Sequence, residues 1–192
     1  MQTAEKRYSE SEYLAREHAR EGRWEYVDGL EYAMSGATAA HNDIVGNLFA
    51  VVHAALRPRG CKARVADQRL KVSTRYYYPD LVAFCGQGTY QDDVFNTLID
   101  ASLVIEVLSF TTEKVDRVEK FDAYGKLGSL RDYVLVDSMQ VRVEHYHRER
   151  ADEPWTLRVG HAGERLVIAS MGIDVAVDSI YEGVHIDADA DR

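Results

Sequence analysis

Tyr76-Tyr77-Tyr78-Pro79-Asp80-Leu81-Val82-Ala83-Phe84-Cys85, taken with the later run Leu103-Val104-Ile105-Glu106-Val107-Leu108, decides the fold class. Each is an apolar stretch of strand length with one carboxylate set into it. The second is the most hydrophobic run of the chain. Continuous apolar runs belong to strands buried on both faces, so it is expected near the centre of a sheet. A carboxylate inside such a strand costs several kcal/mol unless its charge is compensated. Two of them at the ends of neighbouring strands suggest one shared compensator, and hard divalent cations prefer oxygen ligands. Asp80 and Glu106 are therefore the candidate metal ligands, with the backbone carbonyl of Val107 as a further one. Metal-assisted phosphodiester hydrolysis is the chemistry this pairing brings to mind.

Upstream of these strands, residues 8–21 have helical spacing, with Ser9 as cap and Tyr13, Leu14 and His18 recurring on one face. Arg23 to Gly29 alternates and turns at Asp28-Gly29, a strong hairpin signal, with Leu30 to Met34 returning. Ser35-Gly36-Ala37-Thr38 leads into a second helix whose stripe is Ile44, Val45, Leu48, Phe49, Val52 and Leu56, stopped by Pro58 and Gly60. Cys61 to Val72 alternates with an irregularity at Asp67-Gln68. Downstream, Gly86 to Asn96 is a polar loop. A third helix starts at Thr111-Thr112-Glu113, with Val118, Phe121 and Tyr124 as its inner face and Gly125 or Gly128 at its exit. Further strands follow at residues 132–137, 141–146, 155–159 and 165–169. The pattern predicts one mixed α/β domain over residues 1–192, with an acidic, flexible tail at 187–192.

A length of 192 residues suits one domain with a sizeable core, and 46% hydrophobic and 29% charged residues are ordinary for a globular chain. No apolar stretch approaches the roughly 18 residues of a membrane span, and the polar N-terminus lacks the apolar segment of a secretory signal, so a cytoplasmic location is expected. Cys61 and Cys85 alone make neither a disulfide framework nor a zinc site, and Cys85 is read as a small buried apolar residue. The net charge of −9 argues against strong non-specific binding to nucleic acid, which normally needs a basic footprint, while leaving room for a local basic groove. His145 and His147 share a strand face, but two histidines without a third ligand are weak support for zinc. The Tyr76-Tyr77-Tyr78 run reads as packing before it reads as a base-stacking platform.

Lys120, on the helix after the second strand, can assist the attacking water or neutralise developing charge, although it also reads as an i,i+4 partner of Asp116. Lys71, on a nearby strand, is the alternative lysine. Together Pro79-Asp80 and Glu106-Val107-Leu108 resemble the Pro-Asp…(Asp/Glu)-X-Lys signature of the restriction-endonuclease-like superfamily. More closely, the chain resembles the bacterial Uma-type putative restriction endonuclease family. The matching segments are Glu25-Tyr26-Val27-Asp28-Gly29, Ser35-Gly36 with His41, Tyr78-Pro79-Asp80, Val104-Ile105-Glu106-Val107-Leu108-Ser109 and Thr111-Thr112. They continue through Asp116-Arg117-Val118-Glu119-Lys120-Phe121, Tyr124, Tyr133 to Asp137, Val143 to Tyr146 and Tyr181-Glu182-Gly183.

The resemblance implies a central mixed sheet flanked by helices, with additional antiparallel strands. It implies hydrolysis of DNA phosphodiesters dependent on Mg2+ or Mn2+, and a homodimer whose two sites address two strands. Where the superfamily has lysine two residues beyond the acid, this chain has Leu108, so the resemblance moves that role to Lys120. It also makes Glu25 the further acidic member of the catalytic set and places His41 on the cleft. Two other readings stay open: a catalytically inactive module that kept the fold for binding or assembly, and a metal-dependent hydrolase of RNA or another phosphodiester.

Overall fold

In the two-residue turn Asp28-Gly29 both residues adopt positive φ, 50° and 94°, as a tight hairpin requires. It joins β1 (Trp24–Val27) to β2 (Leu30–Ala33), with Val27 opposite Leu30. The computed structural model describes residues 6–34, 36–65, 67–91, 94–110 and 112–186. The lead-in at Ser35, the helix start at Thr111 and the acidic tail lie outside them. Helix α1 (Glu10–Ala19) begins at a capping box in which Ser9 and Glu12 satisfy each other's backbone N–H groups. It stacks Tyr13 on Tyr26 and Tyr76, at ring-centroid distances of 4.9 and 5.2 Å. Glu17, not His18, turns inward with Tyr13. Its carboxylate accepts from the Tyr78 hydroxyl, the Trp24 N–H and Arg20, which satisfies the buried charge.

The expected irregularity at Asp67-Gln68 is a change of sheet. β3 (Cys61–Val65) belongs to a six-stranded sheet, whereas β4 (Leu70–Val72) and β5 (Arg75–Tyr77) extend the hairpin into a four-stranded one, ordered β2-β1-β5-β4. The larger sheet continues with β6 (Leu81–Cys85), β7 (Leu103–Leu108), β8 (Asp132–Asp137), β9 (Arg142–His147) and β10 (Thr156–His161), in the order β10-β9-β8-β7-β6-β3. β7 and β8 pair in parallel and the other ladders of this sheet are antiparallel. A parallel pair needs a crossover, and the third helix supplies it.

Helix α2 (Ala39–Leu56) covers one face of this sheet with Ile44, Leu48, Val52 and Leu56, against Leu103, Ile105 and Val107 of β7. The other face carries Val104 and Leu108, packed with Tyr77, Tyr124, Leu130 and Tyr133. Both faces of β7 are thus buried, which accounts for its unbroken apolar run and puts Glu106 on the face away from α2. A hairpin, β11 (Arg165–Ile168) with β12 (Ile173–Ala176), and a short helix at Val177–Ile180 complete the α2 side; the strand expected at residues 165–169 thus gains a partner and a helix that the sequence pattern does not predict.

Two further expectations are corrected. The crossover begins as a π-helical turn, Val115–Lys120, before an α-helical stretch, Phe121–Gly125. Because i→i+5 bonding widens the turn, α-helical spacing does not carry through it. Val118 is consequently 60% exposed, and Asp116 and Lys120 are the buried residues of the segment. Cys85 is exposed, not buried, and is joined by a disulfide to Cys61, its partner in the β3–β6 ladder. Tyr76, Tyr77 and Tyr78 are all buried, as packing residues are. Among the described residues, no helix is long and apolar enough to cross a membrane.

Candidate active site

Strands β6 and β7 pair from Ala83 opposite Leu103 to Leu81 opposite Ile105. Two residues further the register would bring Pro79 opposite Val107, but proline has no N–H to offer. The ladder passes to side chains instead. The Val107 N–H donates to Asp80 Oδ2 at 2.7 Å, and the Asp80 N–H reaches Glu106 Oε2 at 3.4 Å. Pro79-Asp80 therefore opens a gap at the end of the ladder with both acids on it. The N–H and C=O of one strand residue point to the same side, so the Val107 carbonyl faces this gap too.

Glu106 is 3% exposed, and its Oε1 accepts from the Tyr124 hydroxyl at 2.8 Å and from Lys120 Nζ at 3.1 Å. The π-helical turn directs Lys120 inward, where its ammonium also lies 3.1 Å from Asp116 Oδ1 and 3.4 Å from Glu25 Oε1. Glu25 projects from β1 and accepts the Tyr78 N–H at 3.1 Å, which ties the hairpin to the Pro-Asp segment. His41, in the first turn of α2, places Nε2 3.2 Å from Asp80 Oδ2, and its backbone N–H is capped by Thr38.

Burial pushes the Glu106 carboxyl well above the usual glutamate range; Lys120 opposes this, while Asp116, Asp80 and Glu25 add to it. Burial alone would lower Lys120, but Glu106, Glu25 and Asp116 outweigh it and hold the ammonium well above the ordinary lysine value. Among the described residues the cluster sets four carboxylates against this one ammonium. That surplus of negative charge, with donors that are all oxygen (Asp80, Glu106 and the Val107 carbonyl), fits a hard divalent cation.

The structure thus brings Glu25, Asp80, Glu106 and Lys120 to one point, with His41 joined through Asp80. Lys71 is elsewhere, paired with Glu10 at 2.5 Å. The cluster holds two further members, Tyr124 and Asp116. From the sequence Tyr124 reads as packing, since an inward aromatic looks the same whether or not its hydroxyl has a task. Asp116 reads there only as the helical neighbour of Lys120.

The profile of the Uma2 family, described as "Putative restriction endonuclease", matches residues 10–178. Two proteins of Synechocystis sp. are similar along most of their length. "Uncharacterized protein slr1290" is 34% identical over 178 residues, 92% of each chain. "Uncharacterized protein sll1609" is 32% identical over 149 residues, 77% of this chain and 84% of the other. The crystal structure of "a putative nuclease belonging to DUF820" from Anabaena variabilis superposes with a TM-score of 0.75, covering 93% of this chain and 99% of that one at 14% identity. This superposition establishes the shared fold, a mixed central sheet with flanking helices and added antiparallel strands. With the profile spanning most of its length, the chain belongs to the Uma2 family of restriction-endonuclease-like proteins.

Proposed function

We propose that this protein is a divalent-metal-dependent endonuclease that hydrolyses DNA phosphodiester bonds, with the whole chain acting as one domain. The observation that carries the reading is the meeting of Glu25, Asp80, Glu106, Asp116 and Lys120 where β6 and β7 part. Asp80, Glu106 and the Val107 carbonyl would hold Mg2+ or Mn2+. When bound, such an ion polarises a phosphoryl oxygen and lowers the pKa of water.

The protein's own groups do the rest. The Val107 N–H and His41 fix the orientation of Asp80. Tyr124 and Lys120 fix Glu106 from the other side. Lys120 donates hydrogen bonds as an ammonium, so its part is to place positive charge where negative charge develops on the phosphate. Glu25 and Asp116 hold that ammonium in place. A homodimer accompanies the reading, because one site addresses one strand at a time.

Plasmid cleavage by protein free of affinity tags tests it. Wild type should nick and then linearise supercoiled DNA with Mg2+ or Mn2+ and not in EDTA. Asp80→Ala should abolish cleavage, and Lys120→Met should slow it by about 100- to 1000-fold, as loss of a charge-stabilising donor does. Equal cleavage by Asp80→Ala, or none by wild type with either ion, would sink the proposal. Cleavage confined to RNA would keep the chemistry and move the substrate. Light scattering on the same samples reads the dimer.

A further inference from the structure

Along β9, Val143 belongs to the core on the α2 side, and His145 and His147 follow it on the same face by strand alternation. They therefore lie on the opposite side of the sheet from Glu106. The β8–β9 register sets Asp132 directly across from His147. Asp132 is fully buried, and its Oδ1 lies 2.7 Å from His145 Nε2 and 2.8 Å from His147 Nδ1. One oxygen and two nitrogens, one from each residue, fall within 4.8 Å of one another. The third ligand that the histidine pair lacked in the sequence is thus supplied by a neighbouring strand.

Two imidazoles converge on a single carboxylate oxygen, and a cation placed between them would satisfy all three groups. The outer contacts suit this as well. Glu149 Oε1 lies 3.3 Å from His147 Nε2, the ring nitrogen left free for an outer partner, and the Ser170 hydroxyl donates to Asp132 Oδ2. Such carboxylate and hydroxyl partners orient metal-bound imidazoles and carboxylates. His145 also borders a cavity of about 270 Å³, lined in addition by Arg158, Glu164 and Val177. Metal-to-ligand distances of about 2.0–2.1 Å ask each imidazole nitrogen to draw back from Asp132 Oδ1 by only about half an ångström. A set of two nitrogens and one oxygen suits borderline ions such as Zn2+, whereas Mg2+ prefers oxygen alone.

We propose that Asp132, His145 and His147 form a second metal centre of the zinc class. It would pin β8 and β9 to the turn at Ser170, on the sheet face remote from the carboxylate cluster.

Cobalt, whose visible spectrum reports its ligands and geometry, is the probe. Tag-free protein stripped with EDTA should bind one Co2+ with visible bands, in wild type and equally in Asp80→Ala. His147→Ala should lose the bands, and Ser170→Ala should bind about 10- to 100-fold more weakly, as loss of an outer partner does. Excess Mg2+ should leave the bands unchanged. No bands in wild type, bands that survive His147→Ala, or bands lost in Asp80→Ala would each overturn the proposal. X-ray absorption of the zinc-loaded wild type needs no variant: two imidazole ligands are expected, and one or none would refute it. Cleavage is not read in any of these arms, so failure here and failure of the nuclease reading remain separate.

Discussion

Glu106 is a carboxylate in a strand buried on both faces, and its position is tolerable because Tyr124, Lys120 and the Asp80 N–H all donate to it. The acid itself was conspicuous in the sequence, since an apolar run interrupted by one charge announces an energetic debt. Tyr124 was not, because its ring packs with Tyr77 and Tyr133 as any core aromatic would. Tyr124→Phe separates the two tasks, keeping the ring and removing the donor. Leaving a buried carboxylate one hydrogen bond short should destabilise the fold by about 1–3 kcal/mol in urea titrations. Because Tyr124 positions Glu106 from behind, cleavage should slow by about 10- to 100-fold while the circular dichroism spectrum is retained. Unchanged stability and rate would remove Tyr124 from the site. Asp116 went unrecognised for a related reason: an acid on a helix usually faces water, and only the packed structure shows it 2% exposed.

The crossover helix is where local spacing misled most. Read with α-helical period, Val118, Phe121 and Tyr124 form one inner stripe; the π-helical turn rotates Val118 to the surface and brings Asp116 and Lys120 inside. The turn therefore solves the problem left by Leu108, delivering a lysine to Glu106 from a neighbouring element. Val118→Ser discriminates the two registers. On the observed one its effect on unfolding free energy stays within about 0.5 kcal/mol, as for other surface substitutions. An inward Val118 would instead lose about 1.5–3 kcal/mol of apolar burial. Elements whose signals lie in adjacent residues were read well by contrast. The Asp28-Gly29 turn and the Ser9–Glu12 cap depend on only a few consecutive dihedrals.

Across the whole molecule, the site lies where the four-stranded sheet, through Glu25, meets the parting of β6 and β7 in the six-stranded one. The Cys61–Cys85 disulfide closes the β3–β6 ladder over a sequence separation of 24 residues. Chain-entropy arguments give a loop of that size about 3 kcal/mol of stabilisation. Urea midpoints measured with and without reductant should differ accordingly, and Cys61→Ser should match the reduced protein; coincident midpoints would show that the ladder holds these strands unaided. The amino-acid order carried the hairpin, the helix caps, the buried strands and the two acids set into them, because each is a statement about neighbours along the chain. Which strands pair beyond that hairpin lay outside it. So did the turn that aims Lys120, the joining of Cys61 to Cys85 and the meeting of Asp132 with two histidines. Those contacts link residues far apart in sequence, and their energies appear only once both faces of the central sheet are covered.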